Sequence, residues 1–287
     1  MIMKKTLYII SVLLVLFSCG KQSIEETAVV SDSDELVTWS FSTASVKAGI
    51  TDAGAFSWTA GDQIAIWDNT TEENVTFMSK TAKGVFTATA PRSSEFVSAV
   101  YPAAWASGAS SVVLPSSYTA AEAEAGQLFP MYAKVNEGTN ALEFKHLGAL
   151  LRFSVTGLKE GLDKIRILSP DGGICGTFTF DSSVEYPTVV PDSDRASAAV
   201  NIPIAPTAGS GYAVTIPMPV GTYNYEIHVL SGENVIYRAY TETAQTFGRA
   251  KIYKLGELPF YEGNVLLQSG VEGDPFGISQ DDPYAWN

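Results

Sequence analysis

From Val37 onward the chain is written in short runs whose apolar and polar positions alternate, separated by clusters of Gly, Pro, Asn, Asp and Ser. Alternation with a period of two puts successive side chains on opposite faces of an extended chain, so each run predicts a strand buried on one side. The first group is Val37–Ser42, Gln63–Trp67, Val75–Ser79, Val85–Ala90, Phe96–Tyr101, Ser111–Leu114 and Met131–Val135. The second is Leu150–Thr156, Lys164–Leu168, Ile174–Phe180, Ala198–Ile204, Gly211–Pro217, Thr222–Leu230, Val235–Ala239 and Lys251–Leu255. Helical character is confined to Ala120–Gly126 and a turn around His146–Ala149. Strands recurring every 8 to 15 residues or so predict an all-β chain of antiparallel sandwiches, with Pro203, Pro206, Pro217 and Pro219 at strand ends, where a missing N–H costs no ladder bond. The turn-rich break Asn136-Glu137-Gly138-Thr139-Asn140 divides the body into two tandem sandwiches, 36–141 and 142–259.

The two ends follow other patterns. Lys4 and Lys5 precede an apolar run from Leu7 to Phe17, about half the roughly 20 residues that a membrane-spanning helix needs. It reads as a signal peptide over 1–18. Leu16-Phe17-Ser18-Cys19-Gly20 then resembles a bacterial lipobox, in which cleavage frees the amine of Cys19 and its thiol carries lipid. Residues 19–35 are polar, with the acidic run Asp32-Ser33-Asp34-Glu35, and read as a tether. At the other end, 260–287 is a tail of Gly and Pro interspersed with apolar positions. Tyr261, Val265 and Leu267 share one parity, as do Phe276, Ile278, Tyr284 and Trp286. Extended at about 3.3 Å per residue, such a tail reaches roughly 90 Å.

Composition narrows the chemistry. The chain is 46% hydrophobic and 17% charged, with 18 Lys+Arg against 31 Asp+Glu and a net charge of −13. That supports a packed core and argues against nucleic acid as a partner, since phosphates require a basic stripe. Two histidines, His146 and His228, leave few ligands for zinc, and no metal or other cofactor is expected. Two cysteines cannot form a disulfide framework, and with Cys19 lipidated, Cys175 is a small strand residue that alternates with Thr177 and Thr179. His146 reads as structural, Asp171-Gly172-Gly173 as a turn, and Asp192-Ser193-Asp194 and Asp281-Asp282 as solvated loops. No nucleophile elbow, H-E-x-x-H or C-x-x-C is present, so no catalytic residue is assigned.

Two segments remain with a role to explain. In the first strand, Val37, Trp39 and Phe41 form a bulky apolar face opposite Thr38, Ser40 and Ser42, a shape that fills a core groove from one side. Behind it, Lys47 is the lone basic residue between Lys21 and Lys80, in a stretch of small residues that suits a protease. A resemblance carried by five segments joins these. Phe56-Ser57-Trp58-Thr59-Ala60-Gly61-Asp62-Gln63-Ile64-Ala65-Ile66-Trp67, Phe144-Lys145-His146-Leu147-Gly148-Ala149-Leu150-Leu151-Arg152-Phe153 and Arg249-Ala250-Lys251-Ile252-Tyr253-Lys254-Leu255-Gly256, together with Ala99-Val100-Tyr101-Pro102 and the lipobox, resemble the fimbrillin family of anaerobic gut and oral bacteria.

The resemblance implies two transthyretin-like Greek-key sandwiches, an outer-membrane lipoprotein precursor at the cell surface, and a place in a fimbrium. It also implies strand exchange. Cleavage after Lys47 would release Val37, Trp39 and Phe41, and the tail of another pilus subunit, drawn from Tyr261, Val265, Leu267, Phe276, Ile278, Tyr284 and Trp286, would enter the vacated groove. Three large side chains at about 1.5 to 3 kcal/mol each suggest roughly 5 to 9 kcal/mol before ordering costs. Stalk subunits of that family most often offer Arg at the cut, and an uncut subunit would be an anchor or a cap. Its other partners would be the outer membrane, through lipid on Cys19, and a host surface protein or glycan. The alternative is a glycan-binding surface lipoprotein using exposed tryptophans among Trp39, Trp58, Trp67, Trp105 and Trp286; a hydrolase with carboxylates joined by the fold is a third reading.

Overall fold

The structure, a computed structural model, describes residues 35–43, 58–125, 129–267 and 274–275. Among them the chain is almost entirely β. The first strands are β1 (Leu36–Thr43), β2 (Gln63–Asp68), β3 (Glu73–Ser79), β4 (Val85–Pro91), β5 (Phe96–Tyr101), β6 (Ala106–Gly108), β7 (Ser111–Leu114), β8 (Met131–Lys134), β9 (Ala141–Leu142) and β10 (Lys145–His146). They are followed by β11 (Ala149–Leu158), β12 (Lys164–Leu168), β13 (Cys175–Thr179), β14 (Val190–Ser197), β15 (Ala199–Pro203) and β16 (Ser210–Met218). The last are β17 (Gly221–Tyr223), β18 (Glu226–Ser231), β19 (Asn234–Tyr240), β20 (Gln245–Phe247), β21 (Lys251–Pro259), β22 (Gly263–Leu266) and β23 (Asp274–Pro275).

One eight-stranded sheet runs β10-β8-β5-β2-β3-β4-β1-β9. Its alternate residues Phe41, Ile64, Ile66, Phe77, Phe86, Ala99, Tyr101, Met131 and Ala133 are buried in a single cluster, as period-two patterning requires. A second, larger cluster lies among three further sheets, ordered β16-β11-β21-β23, β15-β12-β18-β19-β22 and β14-β13-β7-β6. Strands β5 and β8 serve both clusters. Ala99 and Ala133 belong to the first, whereas their neighbours Val100 and Tyr132 belong to the second. Being covered on both faces, β5 reads as a nearly continuous apolar run rather than a clean alternation. Conversely, Leu150 of β11 and Ile252 of β21 pack into the first cluster, although the rest of those strands lines the second.

The segment between β5 and β8 also crosses over. Trp105, Val112, Leu114, Tyr118 and Ala123 are buried in the second cluster, and β7 pairs with β13 from Gly176↔Leu114 to Thr179↔Ser111. Its helix, α1, spans Ala120–Ala125. The Thr119 N–H and hydroxyl both donate to the Glu122 carboxylate at 2.8 Å, and the Glu122 N–H donates back to Thr119 Oγ1 at 3.2 Å, a reciprocal cap.

Several sequence expectations need correction. The predicted helical turn at His146–Ala149 is absent. Lys145 and His146 instead pair with Tyr132 and Met131, because the free edge of β8 supplies ladder partners that local propensity cannot anticipate. Asp192-Ser193-Asp194 falls within the span of β14, but as an excursion between the ladder pairs Phe178↔Pro191 and Gly176↔Ala196, with Ser193 and Asp194 exposed and an Arg195 to Asp192 ion pair at 2.6 Å across it. Pro217 lies inside β16, opposite Leu150. It is tolerated because β16 is an edge strand whose outer side needs no donor. The run Thr222–Leu230 is divided between β17, which pairs with β20, and β18.

Candidate functional site

The features with potential function are the first strand, the segment after Pro259 and the surface between them and the two motifs around Lys145 and Arg249. Strand β1 pairs antiparallel with β4 over its whole length, from Leu36↔Pro91 to Ser42↔Val85. On its other side, among the described residues, it is met at its end by the short β9, in parallel, at Ser42↔Ala141 and Thr43↔Leu142, with the Ser42 N–H donating to the Asn140 carbonyl at 2.8 Å. Its predicted alternation is present: Val37 and Trp39 are half-buried and Phe41 is buried, while Thr38, Ser40 and Ser42 are exposed.

Phe41 packs edge-on against Phe77, with centroids 5.4 Å apart, and against Phe96 at 5.8 Å. Trp39 packs edge-on against Phe96 at 5.1 Å, and its Nε1 donates to the Pro91 carbonyl at 3.2 Å. Phe96 is the residue that sequence reasoning missed as a partner. It reaches this face because β5 carries a bulge. Trp67 pairs with Ser98 but Asp68 pairs with Phe96, so Val97 is passed over and Phe96 changes side. Nothing in a period-two pattern marks that change.

Where β1 ends, Thr43 donates its N–H to the Gly84 carbonyl at 2.9 Å. Gly84 has φ +64°, and a Cβ there would lie 2.2 Å from Thr43 Oγ1 and 2.7 Å from the Trp58 ring. Glycine is needed on both counts, and the end of β1 and the Trp58 ring close over it.

The later segment folds back on its own chain. Strand β22 runs parallel to β19, from Tyr237↔Gly263 to Tyr240↔Leu266. Val265 packs on the second cluster, Leu267 is buried in it, and the Leu267 N–H donates to the Tyr240 carbonyl at 2.7 Å. Tyr261 differs from them: it precedes the strand, is exposed, and meets Tyr237 edge-on at 5.8 Å. Glu262 pairs with Lys159. Strand β23 then crosses to another sheet and pairs antiparallel with the start of β21, at Ile252↔Asp274 and Lys251↔Pro275. Cys19, Lys47, Phe276, Ile278, Tyr284 and Trp286 lie outside the described residues.

The two remote motifs become neighbours. Strands β11 and β21 run parallel, with Leu150↔Ile252 and Leu151↔Tyr253. Ahead of them, Arg249 Nη1 donates to the His146 carbonyl at 3.3 Å and the Ala250 N–H donates to the Gly148 carbonyl at 2.9 Å. Lys145 holds Glu143 at 2.6 Å, and both Lys145 Nζ and the Arg249 guanidinium approach the Tyr186 ring, at 5.0 and 4.9 Å from its centroid. His146 is buried beside Phe129, 5.0 Å between rings.

The other polar candidates are structural in their surroundings. Asp171 accepts from the backbone N–H and the side-chain amide of Asn224 at 2.6 and 2.8 Å, which ties the Asp171-Gly172-Gly173 turn to the start of β18. The Cys175 thiol is buried, donates towards the Ser197 and Ala199 carbonyls, and is pushed up in pKa by that burial. His228, Glu226 and Arg238 form a compact group, with Glu226 Oε2 2.7 Å from His228 Nε2 and 2.8 Å from Arg238 Nε. Hydrogen bonding from Arg238 outweighs burial and holds the Glu226 carboxyl below its usual range. No cluster of His, Cys, Asp and Glu suited to a metal is found among the described residues. Trp58 and Trp105 are buried and Trp39 and Trp67 half-buried.

Comparison with known proteins rests on structure. No protein-family model matches the sequence, and no curated protein matches it. A solved Bacteroides ovatus protein assigned to cell adhesion superposes with a TM-score of 0.50 at 13% identity, covering 85% of this chain and all of that one. The two share a fold. A Bacteroides uniformis protein with the same assignment gives 0.40 at 14% identity over 75% of this chain and 92% of its own. The tip fimbrial protein Mfa3 of Porphyromonas gingivalis, truncated at its C-terminus, gives 0.32 at 12% over 79% and 97%.

Proposed function

We propose that this protein is a lipid-anchored component of a bacterial surface fimbrium, acting in adhesion, that joins other subunits by strand exchange. The observation that carries the reading is β1: a strand laddered with β4 along one side, met on the other only at its end by Asn140–Leu142 among the described residues, and seated by the apolar face of Val37, Trp39 and Phe41. Removing such a strand exposes a row of β4 backbone groups and an apolar groove, the two features that a donated strand satisfies. The fold shared with the B. ovatus protein supports the adhesion role, and the lipobox at Cys19 supports attachment to the outer membrane. The proposed division of labour uses no catalytic residue and no cofactor: backbone donors and acceptors give continuity, and alternate apolar side chains give register.

The test is limited digestion of the purified chain with a protease specific for Lys and Arg. Cleavage after Lys47 should yield a product beginning at Ala48 and a ladder of oligomers on a mild gel, and Lys47→Gln should abolish both. A product that begins at Ala48, keeps its tail and remains monomeric overturns strand exchange.

A further inference from the structure

A cavity of about 270 Å³ lies where β8 and β10 meet the turn that follows β13. Tyr132 and Lys134 share a face of β8, and Lys145 of β10 stands opposite Tyr132 in the ladder, so all three project to the same side. The segment Ser182–Glu185 forms the facing wall. That wall is fixed at several points. Asp181 accepts from the Ser183 N–H at 2.9 Å and from its hydroxyl at 2.6 Å, and the Tyr132 hydroxyl donates to the Ser182 carbonyl at 3.4 Å. Beyond it, the Tyr186 ring lies under Lys145 Nζ, 5.0 Å from the centroid. The cavity is thus held in shape by its own chain, which spares an occupant part of the ordering cost of binding.

Its charges balance. In a chain of net charge −13, it gathers Lys134 and Lys145 with Glu143 and Glu185. One pair is already matched: Lys145, whose side chain is 9% exposed, holds Glu143 Oε1 at 2.6 Å. An anion placed there meets Glu143 and a cation meets Lys145, so a charged occupant gains little to offset its desolvation. A neutral compound rich in hydroxyls gains from both. Lys145 has three N–H donors, of which Glu143 takes one, and Glu143 Oε2 has no hydrogen bond among the described residues. Two neighbouring hydroxyls on one ring can therefore accept from Lys145 and donate to Glu143 together. Asn136 adds an amide with both capacities, and Tyr132 and Val184 supply apolar surface for the C–H face of such a ring. The volume, just below that of clefts for drug-sized ligands, suits a single ring. We propose that this cavity binds one neutral pyranose residue of a glycan, through hydrogen bonds from Lys145 and to Glu143. This deepens the adhesion reading by naming a ligand class, and it is independent of strand exchange, since none of these residues lies in β1 or after Pro259.

Saturation-transfer NMR on the full chain tests the site, with the methyl glycosides of glucose, galactose, mannose and N-acetylglucosamine as probes. At least one should receive saturation from the protein. Glu143→Gln should weaken its binding about tenfold, the scale of a hydrogen bond to a charged group, and Asn136→Ala about fivefold, the scale of a neutral one. Asn136 is exposed, so its variant keeps the fold even where Glu143→Gln loosens Lys145. Absence of transfer to all four glycosides, binding undiminished in either variant, or displacement of the glycoside by inorganic phosphate or by glycine would each overturn the proposal, the last because it marks a site for ions. A protease-induced ladder without sugar binding overturns this site alone, and sugar binding without a ladder overturns strand exchange alone.

Discussion

Glu226 shows how much of this surface is decided by individual neighbours. It lies on β18 two residues before His228 and opposite Tyr240, and receives Arg238 diagonally from β19. Its side chain is 14% exposed whereas that of Arg238 is 37% exposed, so solvent screens the pair and its worth is about 1 kcal/mol. Because the folded pKa lies below the ordinary 4.5, the contribution is complete above that value and is lost as pH falls through 4.5 toward the folded pKa. Arg238→Gln should therefore lower stability by about 1 kcal/mol at pH 7, and the gap to wild type should narrow as pH falls below the ordinary 4.5. Urea midpoints measured across that range check it; a gap that persists undiminished in acid contradicts the assignment. The alternation of His228 and Glu226 was visible in the sequence, but Arg238 as partner was not, since a cross-strand diagonal depends on the register of a bulged hairpin.

At the scale of elements, β1 is the strand on which function turns, and its hold is asymmetric. Its apolar face was legible in Val37, Trp39 and Phe41. The aromatic cradle was not, because Phe96 joins it through the bulge at Val97 and Gly84 joins it through a positive φ. Gly84→Ala forces a methyl into Thr43 and the Trp58 ring and strains the backbone. We expect a loss of about 2 kcal/mol and faster amide exchange at Thr43, whose N–H bonds to the Gly84 carbonyl. Exchange unaltered in a destabilised variant would show that this contact does not secure the strand. The parity read in the tail was likewise informative for Val265 and Leu267, which enter β22 and the core, but not for Tyr261, since the strand begins only at Gly263.

Across the body as a whole, two apolar clusters are built from interleaved parts of the chain. Strands β5 and β8 are buried on both faces, and β11 and β21 each send one residue, Leu150 and Ile252, to the opposite cluster. Neither cluster can lose its strands without exposing part of the other. Leu150→Ala should accordingly cost about 2 to 5 kcal/mol and shift the far-ultraviolet and tryptophan fluorescence transitions together. Two separated transitions would refute the coupling.

Length, patterning and the short turn-bounded runs were enough to determine an all-β chain, most of its described strands, the short helix at Ala120–Ala125 and the amphipathic first strand, because side-chain alternation and turn chemistry are local properties. Which strands neighbour one another, which bulge turns Phe96 inward, how the Lys145 and Arg249 motifs meet around Tyr186, and where β22 and β23 attach were decided only in the tertiary structure. Those features depend on sheet edges and ladder registers brought together from distant parts of the chain, and no local pattern encodes which open edge a strand will find.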